Sequence, residues 1–168
     1  MNYQVKYSKR KTISISIDKG EVVVRSPLGV DRKTIEDVIK KHKRWIEKHL
    51  EIQKRKSDLF DSLSEDDIKI LKKSAKQYFK DKTEYFSKIM GLEYGRITIT
   101  SAQKRFGSCS SQGNISYSYR LMLYPEEARE YVVVHELAHL KQMNHSSKFY
   151  KIVESVLPDY KRRKKLLK

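Results

Sequence analysis

Apolar residues recur along this chain with two different periods, and the points where the period changes divide it into elements. From Thr12 to Ile17 the isoleucines Ile13, Ile15 and Ile17 alternate, and after Asp18-Lys19-Gly20 the stretch Glu21 to Arg25 is rich in valine. Two short alternating runs around a Gly-containing turn predict a β-hairpin. Ser26-Pro27-Leu28-Gly29 breaks the strand, and Asp31 suits the cap of a helix whose apolar stripe is Ile35, Val38, Ile39, His42, Ile46, His49 and Leu50, with Trp45 at its edge. Lys54 to Asp67 is polar and carries Asp58, Asp61, Glu65, Asp66 and Asp67, so it reads as a linker or loop and as the internal boundary. A long helix is predicted from about Ser64 to Met90, because Ile68, Leu71, Ala75, Tyr78, Phe79, Phe86 and Ile89 recur at helical spacing and Gly91 follows as a stop. Arg96 to Thr100 and Asn114 to Tyr119 alternate as strands across the Ser- and Gly-rich loop Gln103 to Gly113. Pro125, Glu126 and Glu127 suit the start of a helix that Tyr131 to Val134 would bury. The order implies an α+β fold, a small mixed or antiparallel sheet packed with helices. An N-terminal lobe of hairpin and amphipathic helix is expected over 1–57, and a core over 58–168, the two forming either separate units or one continuous domain.

That last helix carries His135-Glu136-Leu137-Ala138-His139, with His145 following. Residues four apart on a helix share a face, so His135 and His139 can bind one ion, and Glu136 lies beside them, placed to take a proton from a coordinated water. His145 is the expected third ligand, followed by Ser146 as the N-cap of a new helix; Glu154, on that helix, is the rival. Three imidazoles leave one tetrahedral position open on zinc for an activated water, and they would also accept nickel or cobalt. Arg120, at the end of a strand, and Tyr150, one turn past His145, are candidate oxyanion or substrate contacts, each equally readable as a surface or packing residue. Cys109 reads as a small thiol in a Gly-Ser turn rather than a fourth ligand. Two hydrogen-bonded histidines on an ordinary buried helix are the bland alternative, but three His and a Glu within eleven residues need a shared cause.

Composition narrows the setting. The 168 residues suffice for one core or a core with an appended lobe, and one cysteine excludes an internal disulfide framework. No run is long enough to cross a bilayer, and Met1 to Thr12 has no apolar segment of a secretory signal, so a cytoplasmic protein is expected. The net charge of +16 implies affinity for nucleic acid, anionic surfaces or acidic substrates. The lysines are spread over 40–56, 69–82 and the tail 161–168, however, which reads as solvated helix faces.

Three blocks carry a resemblance over most of the chain: Lys104-Arg105-Phe106-Gly107-Ser108-Cys109-Ser110; Ile115 to Leu121; and Tyr131 to Leu140 with Asn144-His145-Ser146 and Phe149-Tyr150. Together they resemble the YgjP-like metallopeptidase family, relatives of the SprT-like zinc hydrolases. Phe106, Tyr119 and Tyr150 stand where that family has Trp, and Ser118 where it has Asn, which bears on substrate preference more than on metal binding. The spacing from Glu136 to His145 equals that of metzincins, but Gln142 occupies the place of their turn glycine. The resemblance implies a zincin-like fold and a zinc-dependent hydrolase with His135, His139 and His145 as ligands and Glu136 as general base. It also suggests a peptide lying antiparallel to an edge strand, a role assigned to Asn114 to Arg120. The leading reading is a metallopeptidase with a peptide or protein substrate and no membrane partner. The second reading is a metal-dependent nucleotide pyrophosphohydrolase, which the positive charge would suit, although the chain carries no Gly-rich phosphate loop. The third reading is a nucleic-acid-associated protein in which the zinc acts on bound proteins or is only structural, its basic surface meeting phosphates.

Overall fold

The computed structural model describes residues 2–18 and 20–167, with Lys56 described by its backbone only. Lys19 in the hairpin turn and Lys168 at the end of the basic tail lie outside the described residues. The chain forms two compact units, Met1–Ser62 and Leu63–Lys168.

In the first unit, β2 (Ser14–Asp18) and β3 (Glu21–Pro27) pair antiparallel as the hairpin pattern predicts. A strand missed in the sequence reading, β1 (Tyr3–Ser8), pairs parallel with β3 on its other side, giving the order β1-β3-β2. Tyr3, Val5 and Tyr7 do alternate, but Gln4, Lys6 and mostly exposed side chains left the period weak. Val22 and Val24 pack with Ile35, Ile39 and Ile46 to close this small core. Those isoleucines come from two helices rather than the single one expected. Asp31 caps α1 (Arg32–Lys41) by accepting from Thr34 N–H, and the chain breaks at His42 before α2 (Lys43–Asp61). Nor is Lys54 to Asp67 a linker: α2 runs through most of it. Its Ser, Asp and Lys residues line an exposed helix and form i,i+4 pairs such as Ser57–Asp61 instead of breaking it, and the interruption shrinks to Ser62-Leu63-Ser64.

The second unit is built on α3 (Glu65–Met90). Ser64 and Asp67 form a reciprocal capping box at its start, and Gly91 ends it with φ of 60°, a left-handed conformation that costs glycine nothing. The next segment contains three strands, not two: β4 (Ile97–Thr100), β5 (Gly107–Cys109) and β6 (Ile115–Ser118), in the order β4-β6-β5. β4 runs parallel to β6, and β5 antiparallel to it. β5 lies in the predicted loop, because Gly-Ser-Cys has neither β-branched residues nor an apolar alternation to reveal it. A 3-10 turn (Tyr119–Leu123) then leads to α4 (Glu126–Ala138), α5 (Ser147–Val156) and α6 (Tyr160–Lys165).

α4 is apolar on nearly every side: Tyr131, Val132, Val133, Val134, Leu137 and Ala138 are all buried, among α3, the sheet and α5. Burying each Val or Leu contributes about 1.5–3 kcal/mol, so the helix bearing the histidines is the best-anchored part of the unit. Phe79 of α3 stacks on Tyr117 of β6 at 4.5 Å, and the buried Tyr117 hydroxyl meets Thr83 Oγ1 at 3.0 Å. Polar clamps fix the helices from outside. Lys82 of α3 bonds Glu126 and Glu130 of α4, and Glu130 also accepts from Arg163 of α6. No described helix is long and apolar enough to cross a membrane.

Candidate metal centre

His135 lies in the last turn of α4 and His139 at its C-cap, whose backbone is still right-handed helical, so the two rings stay on one face. The chain then turns through Leu140 to Asn144, and His145 comes back toward them just before α5. Ring centroids are 4.9 Å apart for His135–His139 and His135–His145, and 4.8 Å for His139–His145. One nitrogen from each ring lies within 4.8 Å of the others, and His135 Nε2 faces His145 Nε2 at 3.0 Å. Among the described residues this is the cluster that can hold a metal, and neither Glu154 nor Cys109 belongs to it. Phe149, fully buried on α5, touches all three rings at 4.6–4.9 Å and forms the floor beneath them.

The ring orientations are set from behind. Gln142 carbonyl can only accept, so His139 Nδ1 donates to it at 3.2 Å and Nε2 is left free. Tyr131 Oη lies 3.4 Å from His135 Nδ1, which donates when Nε2 turns to the cluster. Burial pushes the His135 imidazole down to about 3, with repulsion from His139 and His145 adding to it, and burial likewise lowers His139. Neutral rings offer lone pairs without a competing proton. Tetrahedral zinc ligands stand roughly 3.3 Å from one another, given metal–nitrogen bonds of about 2.0–2.1 Å. Three imidazoles whose nitrogens lie within 4.8 Å of one another, with burial holding His135 and His139 toward the neutral form, make a donor set that can accept a metal such as zinc.

Glu136 is 5% exposed, and burial raises its carboxyl to about 8, against the opposing pull of Arg105. It packs under β5. A Cβ at Gly107 would lie 2.7 Å from Glu136 Oε1 and 2.8 Å from its Cγ, so a glycine is what lets the carboxylate occupy this place. Burial, together with Glu136, also raises the Cys109 thiol. Arg105 and Gly107 fall within the block Lys104 to Ser110, but the sequence alone assigns neither a role. Nothing in a lone exposed Arg or a loop Gly signals a carboxylate that is distant in sequence.

Of the two oxyanion candidates, Tyr150 stacks near His145 at 6.3 Å, and its hydroxyl is within 3.4 Å of Lys164 Nζ. Arg120 lies in the 3-10 turn, an element that packs mainly on α3, with its N–H donating to Ser118 Oγ. The edge-strand assignment of Asn114 to Arg120 is overturned. β6 is the central strand, paired on both sides, and the strand that packs on α4 with one side open is β5.

The small mixed sheet over a buried His-Glu-x-x-His helix, with a third imidazole folded back onto it, makes this an α+β, zincin-like protein. The model of the YgjP-like metallopeptidase domain matches residues 11–68 and 61–168, and the chain belongs to that family. It is similar to the crystal structure of the metallopeptidase zymogen abylysin of Pyrococcus abyssi, with 30% identity, a TM-score of 0.47, and coverage of 52% of this chain and 87% of that one. It is also similar to the zymogen jannalysin of Methanocaldococcus jannaschii, with 23% identity, a TM-score of 0.42, and coverage of 46% and 79%. No curated protein matches the sequence significantly.

Proposed function

We propose that this protein is a zinc-dependent metallopeptidase in which His135, His139 and His145 hold the metal and Glu136 is the general base. The observation that carries this reading is the convergence of three imidazole nitrogens within 4.8 Å, with a buried carboxylate on the same helix turn. Zinc bound there would polarise the scissile carbonyl and lower the pKa of a coordinated water to about 7. Glu136, on the same helix turn as the ligands, would take a proton from that water and pass it to the leaving amine; its carboxyl, raised by burial to about 8 in the metal-free protein, would be drawn back toward the ionised form by the adjacent dication. Tyr131 and the Gln142 carbonyl keep the Nε2 atoms of His135 and His139 directed inward. Tyr150, beside His145, is the better placed oxyanion partner.

The substrate lies along β5. Ser118 N–H donates to Phe106 carbonyl and Ser110 N–H to Asn114 carbonyl, so alternation turns the backbone groups of Gly107 and Cys109 to the open side. A peptide pairing there passes the face that carries Glu136, and β-augmentation needs no particular side chain, which suits unfolded protein substrates. The test is digestion of casein by the zinc-loaded chain and by Glu136→Gln. Cleavage by the wild type, lost in a variant that keeps its zinc, supports the reading. Equal cleavage by both removes Glu136 from the mechanism. Pyrophosphate release from nucleotides with casein left intact would mean a different hydrolase.

A further inference from the structure

The sheet has a second open edge, on the side away from Glu136. A groove of about 750 Å³ runs between β4 and α3, lined by Lys72, Lys73, Lys76, Lys80, Tyr94 and the three consecutive residues Ile97 to Ile99. Successive strand residues point to opposite faces, so three in a row lining one groove means that it follows the edge of the strand and not a face. The backbone register agrees. Ile115 N–H donates to Arg96 carbonyl, and in a parallel ladder this directs Thr98 and Thr100 toward β6 and leaves the N–H and C=O of Ile97 and Ile99 facing the groove.

The opposite wall is cationic. All four lysines are exposed, and among the described residues none of them forms a salt bridge. Glu84, which Lys80 feels electrostatically, is bonded at 2.8 Å to Lys88. Lys72, Lys76 and Lys80 recur every four residues along α3, a step of about 6 Å. In an extended peptide, side chains on one face recur about every 6.6–6.8 Å, so a strand with acids at alternate positions would meet this row in register. The floor between the two walls is Tyr94, Ile97 and Ile99, apolar and half-buried.

We propose that this groove is a docking site for an extended acidic segment of a partner protein, which adds to β4 as a fourth strand and pairs alternate carboxylates with Lys72, Lys76 and Lys80. The open hydrogen-bonding edge and the isoleucine floor favour a peptide over single-stranded nucleic acid, which would want several stacking aromatics where the groove has one. A second copy of the same edge would bring two rows of lysines together, which repels. The site is independent of the metal centre and of the peptidase reading.

The test is fluorescence anisotropy of an alternating Val-Glu octapeptide on the full chain, in the Glu136→Gln background so that the probe cannot be cut. The same peptide N-methylated at alternate amides, and a dT12 oligonucleotide, serve as competitors. Lys76→Glu with Lys80→Glu lies on an exposed helix face, and circular dichroism checks its fold. Weakening by about tenfold or more in this double variant, and failure of the N-methylated peptide to compete, are expected. Unchanged affinity in the folded double variant would overturn the site, as it would mean that the lysines only guard a sheet edge or that the probe sits elsewhere. Competition by the N-methylated peptide as strong as by its parent would exclude strand addition. Tighter binding of dT12 than of the peptide would assign the groove to nucleic acid.

Discussion

Replacing Gly107 with alanine separates the position of Glu136 from metal binding. The added Cβ would lie 2.7, 2.8 and 2.9 Å from Glu136 Oε1, Cγ and Cδ, whereas ordinary contacts of this kind begin near 3.4 Å. The excess overlap is therefore about 0.5–0.7 Å at three atoms, and overpacking of this order costs about 1–3 kcal/mol where nothing can yield. Here something can. The obstacle is the Glu136 side chain from Cγ outward and not backbone, so the carboxylate is displaced while the backbone of β5 and α4 stays. Misplacing a catalytic group by about 1 Å lowers the rate by about 100-fold. Gly107→Ala is accordingly expected to lower kcat on a fluorogenic peptide by 10- to 100-fold while leaving KM, zinc content and circular dichroism close to wild type. Stopped assays with the zinc-loaded protein and parallel elemental analysis measure all of these. A Gly107→Ala enzyme with kcat within twofold of wild type would refute the proposition that β5 and Glu136 share one tightly filled space.

Three further outcomes follow from the site. Tyr131→Phe removes the hydroxyl 3.4 Å from His135 Nδ1, and zinc affinity measured by chelator competition should fall by about 10-fold at little cost in stability; an unchanged affinity would mean that the contact does not orient the ring. Phe149→Ala empties the floor under three imidazoles, and a loss of about 3–5 kcal/mol in urea unfolding of the metal-free chain is expected, whereas a loss below about 1 kcal/mol would show that the floor is not packed. In the metal-free chain Glu136 titrates near 8 folded and near 4.5 unfolded, so its contribution favours the fold below about 4.5 and is lost as pH rises toward 8. Glu136→Gln should therefore unfold at higher temperature than wild type at pH 8.5, with the gap closing at pH 5; a gap that persists at pH 5 would contradict this.

The parts of the molecule that follow from local rules could be read from the sequence. The valine- and isoleucine-rich hairpin, the α3 helix with its Ser64 and Gly91 ends, and the clustering of His135, His139 and His145 all depend on spacing within a few turns of chain. The parts that were missed depend on pairing between distant segments. β5 is a strand only because β6 offers it a ladder, and β6 is central only because β4 and β5 flank it, so the open edge beside α4 lies one strand away from the segment that the sequence pattern suggests. Gly107 and Arg105 acquire meaning only once β5 crosses Glu136. α2 was hidden for the opposite reason: an exposed helix needs no apolar stripe along its whole length, and its Ser, Asp and Lys residues looked like a linker.

Zinc content of the purified chain, measured by elemental analysis beside His135→Ala, His145→Ala and Glu154→Ala, bears most directly on the three-histidine centre. About one zinc per chain in the wild type and in Glu154→Ala, with loss in both histidine variants, is the expected result. Full occupancy in His145→Ala, or loss in Glu154→Ala, would mean that the metal is held by a different third ligand.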